Sequence, residues 1–424
     1  MTKKYRQPLD KKPKSNDEEV IKRTITALMD IMTFDESGNA QTTEGIKLSK
    51  LLRILIHYLK FPEIISHEWD LMYNLTYKVA FQIKKREIQD ISQFQELLSK
   101  EVELYLNRPI NEYLILLPLH AIEDSFADKS RITLLNNNLI FRHWDSLKEE
   151  MDIDSFVKKG NSFLKGFVGK ELDQLNELFT PIIIRTDGRN EQEAFSKAER
   201  VFDLLRIILN LLYVQYRFNK QFSGYPKAYS KCLPPPLYGI FKPNGEFISF
   251  FYCLTIYPEY KENKITEDYI EGINKIIGLI HEPENDEDSM RLFIDGLEIY
   301  GQAIDTSEWR LSFIYLWQFF ELLTLKSKDK LREKDVVTRV SNILNLSHED
   351  EDLLQVMYCS RNSLVHESKY PNGNTYSMDE FSFLKSLVDK FISKSYDLVT
   401  KYPTISLLSS FYRKSSSPSE PILS

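Results

Sequence analysis

The sequence predicts an α+β fold: a mixed α/β region on the N-terminal side, then an all-α helical bundle. Three observations carry this expectation. Over residues 18–105 apolar residues recur at helical spacing, as in Ile46, Leu48, Leu51, Leu52, Leu55 and Ile56, and again in Phe94, Leu97, Leu98 and Val102. Between about 110 and 260 the pattern shortens to strand-like runs bounded by Pro, Asp, Asn and Gly. From 286 to 402 helical spacing returns, punctuated by cap and turn residues.

Taken in order, residues 1–17 read as a flexible tail: Lys3, Lys4, Arg6, Lys11, Lys12 and Lys14 are basic and no apolar stretch accompanies them. Residues 18–285 form the mixed region. Its strand-like runs are Tyr113 to Leu117, Ile132 to Leu135 and Ile182 to Ile184, and a long helix follows from about Gln192 to Tyr213. Pro234-Pro235-Pro236 interrupts the chain. Pro243-Asn244-Gly245 between Leu237–Phe241 and Phe247–Ile256 predicts a hairpin, because Asn and Gly tolerate positive φ. The acidic stretch Glu282 to Asp288 reads as a boundary. Beyond it five helices are expected, near 288–303, 307–325, 333–345, from Ser347 through Arg361, and from Ser377 to Pro403. Ser347 with Asp350 and Ser377 with Glu380 supply capping boxes. Short connections favour antiparallel neighbours. Residues 403–424 form a Ser/Pro-rich tail.

Composition removes several function classes. A hydrophobic fraction of 42% over 424 residues supports two or three domains with real cores. A net charge of −7 argues against a tight, non-specific nucleic-acid binder, while leaving room for a local basic groove. Cys232, Cys253 and Cys359 lie far apart, with no CxxC spacing, so neither a zinc site nor a disulfide framework is expected. A reduced, cytoplasmic protein is the expectation. No run is long enough to cross a membrane.

The segment richest in chemistry is Tyr358-Cys359-Ser360-Arg361-Asn362-Ser363-Leu364-Val365-His366-Glu367. On a helix, Asn362 and His366 lie about 40° apart on one face, one turn apart, with Arg361 on their flank. RNA can be cut by attack of its own 2′-hydroxyl on the neighbouring phosphate. The reaction needs a base, an acid and positive charge on the phosphorane oxygens. Histidine titrates near neutral pH and suits the proton transfers. Arginine presents a charged planar fork that matches phosphate. Asn362 can orient either. No metal or other cofactor is called for. One helix supplies one histidine, so a second copy related by a two-fold axis would complete the set. The same residues also admit a plainer account, in which Arg361 pairs with an acidic neighbour on the bundle surface.

Together with Trp317 and Glu321 in Leu316-Trp317-Gln318-Phe319-Phe320-Glu321-Leu322-Leu323, and with Arg339-Val340, this segment resembles the HEPN superfamily, in particular its Apea-like branch. The resemblance covers residues 300–400, about a quarter of the chain. Members carry Arg, a polar residue and His after four to six intervening positions, and here four separate Arg361 from His366. Glu367 stands where glycine is common, which leaves the following loop in question. The resemblance implies a HEPN-like bundle over 286–402 and a homodimer through it. It also implies a metal-independent endoribonuclease of anti-phage (abortive infection) or toxin type, with Arg361, Asn362 and His366 as catalytic residues. Glu321 and Tyr358 would support them, Glu321 by pairing with Arg361 or polarising His366; the plainer account of Glu321 is a bundle-surface residue with no partner. The alternative is a non-catalytic HEPN module that assembles a defence or regulatory complex. Residues 18–285 then read as a sensing or regulatory region for a phage-derived trigger, a nucleic acid or a partner chain.

Weaker signals have plainer explanations. Gly160, Gly166, Gly169 and Lys170 have the wrong spacing for a phosphate loop, and Glu171 stands where Ser or Thr is needed. Asp152-Ile153-Asp154 lacks the element that accompanies a nucleotidyltransferase acidic pair. Asp187-Gly188-Arg189-Asn190 could place an anion at a helix N-terminus, or simply turn the chain.

Overall fold

A computed structural model of the chain describes residues 15–34, 40–42, 44–59, 61–62, 69–86, 90–121, 131–167, 178–215, 232–252, 267–281, 287–306, 308–324, 334–367 and 378–401. The chain is mixed α+β and divides into two compact units, Met1–Asn111 and Glu112–Ser424. The expected tails, 1–17 and 403–424, lie almost wholly outside the described residues.

The first unit is helical, as the apolar spacing predicts. It contains α1 (Ser15–Ile31), α2 (Gly45–Tyr58), α3 (Trp69–Lys85) and α4 (Ile91–Leu106). Leu48, Leu52, Leu55 and Ile56 are the buried residues of α2, and Phe94, Leu98, Val102 and Tyr105 those of α4. Each such side chain contributes roughly 1.5 to 3 kcal/mol on burial. Asp90 caps α4, its carboxylate accepting the Ser92 N–H at 3.2 Å. A two-residue ladder, β1 (Thr33–Phe34) with β2 (Ala40–Gln41), is added. It is too short to leave a period in the sequence.

The second unit is built on a six-stranded sheet in the order β4-β5-β6-β3-β7-β8. The strands are β3 (Asn111–Leu119), β4 (Arg131–Leu134), β5 (Asn137–Phe141), β6 (Thr180–Gly188), β7 (Leu237–Phe241) and β8 (Phe247–Tyr252). Ladders β3–β7, β4–β5, β5–β6 and β7–β8 are antiparallel. Contacts at both ends set β6 antiparallel to β3: Arg185 meets Glu112 at 3.1 Å, and Thr180 Oγ1 donates to the Ala121 carbonyl at 2.7 Å.

Successive residues address opposite faces. Leu116, Ile183, Leu237 and Phe241 pack beneath α5 (Trp144–Glu150) and α6 (Ile153–Phe167), against Leu147 and Phe156. Ile115, Leu117, Ile182 and Ile184 face the other way, onto Ala194, Ala198 and Phe202 of α7 (Glu191–Gln215). That second core does not stop at α7. It continues through Phe293 and Leu297 of α9 (Glu287–Asp305), and through Phe313 and Trp317 of α10 (Trp309–Thr324). Val336 of α11 (Lys334–Leu344), Leu354 of α12 (His348–Glu367) and Phe391 of α13 (Met378–Lys401) belong to it as well. Ile273 of α8 (Glu267–His281) completes it.

The five C-terminal helices therefore occupy the predicted segments, but they share one core with the sheet. A boundary near 286 would cut that core, and the division into units falls instead at 111/112. A buried ionic network reinforces the continuity. Arg206 of α7 donates to Asp305 of α9 at 2.8 Å and to the Cys232 carbonyl at 2.9 Å, with Asp203 beside it. Burial opposes the charge on Arg206, yet the carboxylates of Asp305 and Asp203 outweigh it and raise its pKa well above the ordinary value.

The Pro243-Asn244-Gly245 turn forms as expected. Gly245 has φ +86°, its N–H donates to Lys242 O at 2.9 Å, and Asn244 Oδ1 accepts the Glu246 N–H at 3.1 Å. The expected strand 132–135 is one residue too long. Leu135 and Asn136 take φ of 48° and 61°, the two-residue type I′ turn that joins β4 to β5.

Candidate active site

Helix α12 starts where the sequence places a cap: Ser347 Oγ accepts the Asp350 N–H at 3.2 Å, and Glu349, Asp350 and Glu351 occupy the first turn. The helix is unbroken through Glu367, so Asn362 and His366 keep their one-turn backbone relation. Leu354, Met357 and Ser360 turn into the core, which fixes the rotation of the helix. Asp352, Gln355, Val356 and Cys359 are exposed on the opposite side.

Arg361 and Asn362 lie at the border between these faces. Arg361 Nη1 donates to Asn362 Oδ1 at 3.0 Å, and Nη2 forms an ion pair with Glu321 Oε1 at 2.8 Å. The Arg361 side chain retains 14% of its accessible surface and Glu321 20%. Arg361 is thus not the openly presented cation expected from spacing. The Glu321 carboxylate, contributed by α10, draws the guanidinium into the seam between α10 and α12. Two consequences oppose each other. The fork is held in a fixed plane, which favours preorganised recognition of an oxyanion. The adjacent carboxylate also offsets part of its charge.

Tyr358 stands over Trp317, with ring centroids 5.9 Å apart at 35°. Trp317 is fully buried and lies one turn before Glu321, so α10 sends both an apolar anchor and a carboxylate toward α12. Of the five expected site residues the structure brings Glu321, Arg361 and Asn362 into direct contact and sets Tyr358 on the same seam. The His366 backbone is helical, while its side chain lies outside the described residues.

Set against protein-family models, curated proteins and solved structures, the chain matches none.

The remaining sequence signals resolve into local structure. Gly160 and Gly166 are inside α6, not in a loop, and Lys170 lies outside the described residues. Asp152 precedes α6, its Oδ1 accepting the Ser155 N–H at 3.2 Å. At the start of α7, Asn190 Oδ1 accepts the Glu193 N–H at 2.8 Å, and Glu193 accepts the Arg189 N–H at 2.9 Å. A carboxylate of the chain itself thus meets the donors an anion would use. Among the described residues no group of three or more His, Cys, Asp or Glu converges as a metal cage, and no helix is long and apolar enough to cross a membrane.

One cluster had no reading in the sequence. Lys385 of α13, fully buried, donates to Asp389 at 2.8 Å and to Tyr300 Oη of α9 at 3.0 Å. Its signal was available: Lys385 and Asp389 stand at i and i+4 on a helix whose neighbouring positions, Leu384 and Val388, are core.

Proposed function

We propose that the chain is an endoribonuclease of HEPN type, acting without a metal as a homodimer, and that it serves as an anti-phage or toxin effector in the cytoplasm. What supports the reading is the α10–α12 seam, where Glu321 holds Arg361, Arg361 holds Asn362, and His366 follows one turn later on the same helix. In this mechanism a histidine accepts the 2′-hydroxyl proton as the 2′-oxygen bonds to phosphorus. The second copy's histidine protonates the departing 5′-oxygen. Arg361 carries the phosphorane charge, and Asn362 fixes the direction of the Arg361 fork. The products are a 2′,3′-cyclic phosphate and a 5′-hydroxyl.

The second reading, a non-catalytic module in a defence or regulatory complex, has one observation in its favour. Arg361 is largely buried and ion-paired, as a structural arginine is. Because Arg361→Ala would leave Glu321 partly buried without its cation, loss of activity in that variant could reflect damage to the fold. His366→Ala is the cleaner test. Purified protein is expected to cleave RNA in EDTA and leave 2′,3′-cyclic ends, and His366→Ala to lower the rate at least a hundredfold with an unchanged circular dichroism spectrum. Cleavage by His366→Ala at the parent rate refutes the nuclease reading. Preserved cellular toxicity in that variant supports the scaffold.

A further inference from the structure

The two compact units differ in charge. The first 111 residues carry 18 Lys and Arg against 16 Asp and Glu; the rest of the chain carries 37 against 46. The unit that holds Arg361 and His366 is thus net −9, and the first unit is net +2. A polyanionic substrate meets a repulsive average field at the unit that would cut it, so a basic surface on the other unit would aid its capture.

Helix α2 has such a surface. At about 100° per residue, Ile46, Lys47, Lys50, Arg53, Ile54 and His57 fall within about one third of its circumference. All six are exposed, Ile46 to 78%. The opposite side, Leu48, Leu52, Leu55 and Ile56, is buried, so α2 is fixed on the unit with its basic face outward. No acidic residue occurs within Gly45–Tyr58. Glu44, just before the helix, meets Lys47 at 3.1 Å, an exposed pair that competes only weakly for the cation. From Lys47 to His57 the basic positions recur every three or four residues along about 15 Å. That is a track for an evenly charged strand, and the two isoleucines among the cations give unstacked bases an apolar surface.

We infer that the outer face of α2 is a docking surface for single-stranded RNA, through phosphate contacts from Lys47, Lys50 and Arg53 with Ile46 and Ile54 against the bases. The inference rests on the nuclease reading for its choice of polyanion, yet binding can be measured apart from cleavage. The test uses full-length His366→Ala protein and a fluorescein-labelled 20-nucleotide oligouridylate, followed by anisotropy across a salt series. Replacing Lys47, Lys50 and Arg53 together by Glu is expected to weaken binding at least tenfold and to reduce the salt slope by about 2, given roughly 0.7 per phosphate contact on single strands. The same three changed to Gln are expected to weaken it less, with the helical spectrum intact. Unchanged affinity in both variants overturns the inference. So does a parent protein that fails to bind at low salt, or one that binds phosphatidylserine vesicles through this face but not the oligomer. Loss of binding in the variants alongside absent cleavage by the wild-type chain would uphold the docking surface and refute the nuclease. Cleavage by an otherwise wild-type Glu variant with unchanged KM would refute the docking surface alone.

Discussion

At the scale of single residues, the charges buried among the described residues have a partner built in. Lys385 and Tyr300 illustrate the cost. Burial lowers the pKa of Lys385, and Asp389 works against that shift without cancelling it. Burial, followed by the charge of Asp389, raises the Tyr300 phenol well above its ordinary range. The two act in opposite senses on stability. The folded chain sheds the Lys385 proton before the unfolded chain does, so stability rises with pH in the window below about 10.4. It keeps the Tyr300 proton after the unfolded chain has lost it. The Tyr300 contribution is therefore complete below about pH 10 and falls as pH climbs toward the raised folded value. Tyr300→Phe is expected to lose about 1 kcal/mol at pH 7, with the Lys385 hydrogen bond. Its urea midpoint should then decline less steeply than the parent's above pH 10. Parallel declines would mean that Tyr300 ionises freely in the fold. Arg361 belongs at the same scale. Its spacing from His366 is legible in the sequence, and its pairing with Glu321, forty residues away on another helix, is one of the two roles the HEPN resemblance implies for that carboxylate. The turn of the guanidinium into the seam is not legible, because it follows from the rotation that Leu354 and Met357 impose on the helix.

Elements were legible in proportion to how much of their cause is local. The α9 to α13 helices announce themselves through caps and apolar spacing, and Ser347 performs the capping assigned to it. The β7–β8 turn is equally local, since Gly245 is the residue its φ of +86° demands. That position has a second constraint the sequence does not display: a Cβ there would lie 2.1 Å from the Glu150 carbonyl oxygen of α5. Gly245→Ala should therefore cost about 2 to 4 kcal/mol in urea unfolding, beyond the loss from φ alone. A loss under about 0.5 kcal/mol would show that the turn can move away from α5. The β4–β5 hairpin escaped notice for the converse reason. Its turn uses Leu135 and Asn136 at positive φ, without the Asn-Gly pair that marks this geometry, and Leu135 packs partly against the core. Tertiary burial there holds a leucine in a conformation it disfavours, and strand β5 was missed with the turn that starts it.

At the scale of the molecule, the change of texture near residue 286 coincides with a change of secondary structure, while the buried side chains on either side of it form one cluster. Composition and charge runs register such a change and cannot distinguish it from a seam between domains. The Arg206–Asp305 pair tests the difference. Asp305→Ala leaves a buried guanidinium short of its main counter-charge and is expected to cost about 3 to 5 kcal/mol. Hydrogen exchange should then show β6 and α10 losing protection at the same denaturant concentration. If α10 opens while β6 stays protected, the helices are a separate cooperative body. Shared burial also limits which pieces of the chain can be exchanged. At Gly301 a single added carbon would sit 2.4 Å from the Ile207 side chain, so α9 and α7 approach too closely to be paired with strangers. Recombination that transplanted the last five helices onto a different partner would bring half a jigsaw with them. The stretch that could be moved as one packed body is therefore the whole of Glu112 onward, and a graft that keeps this core intact has to join upstream of it.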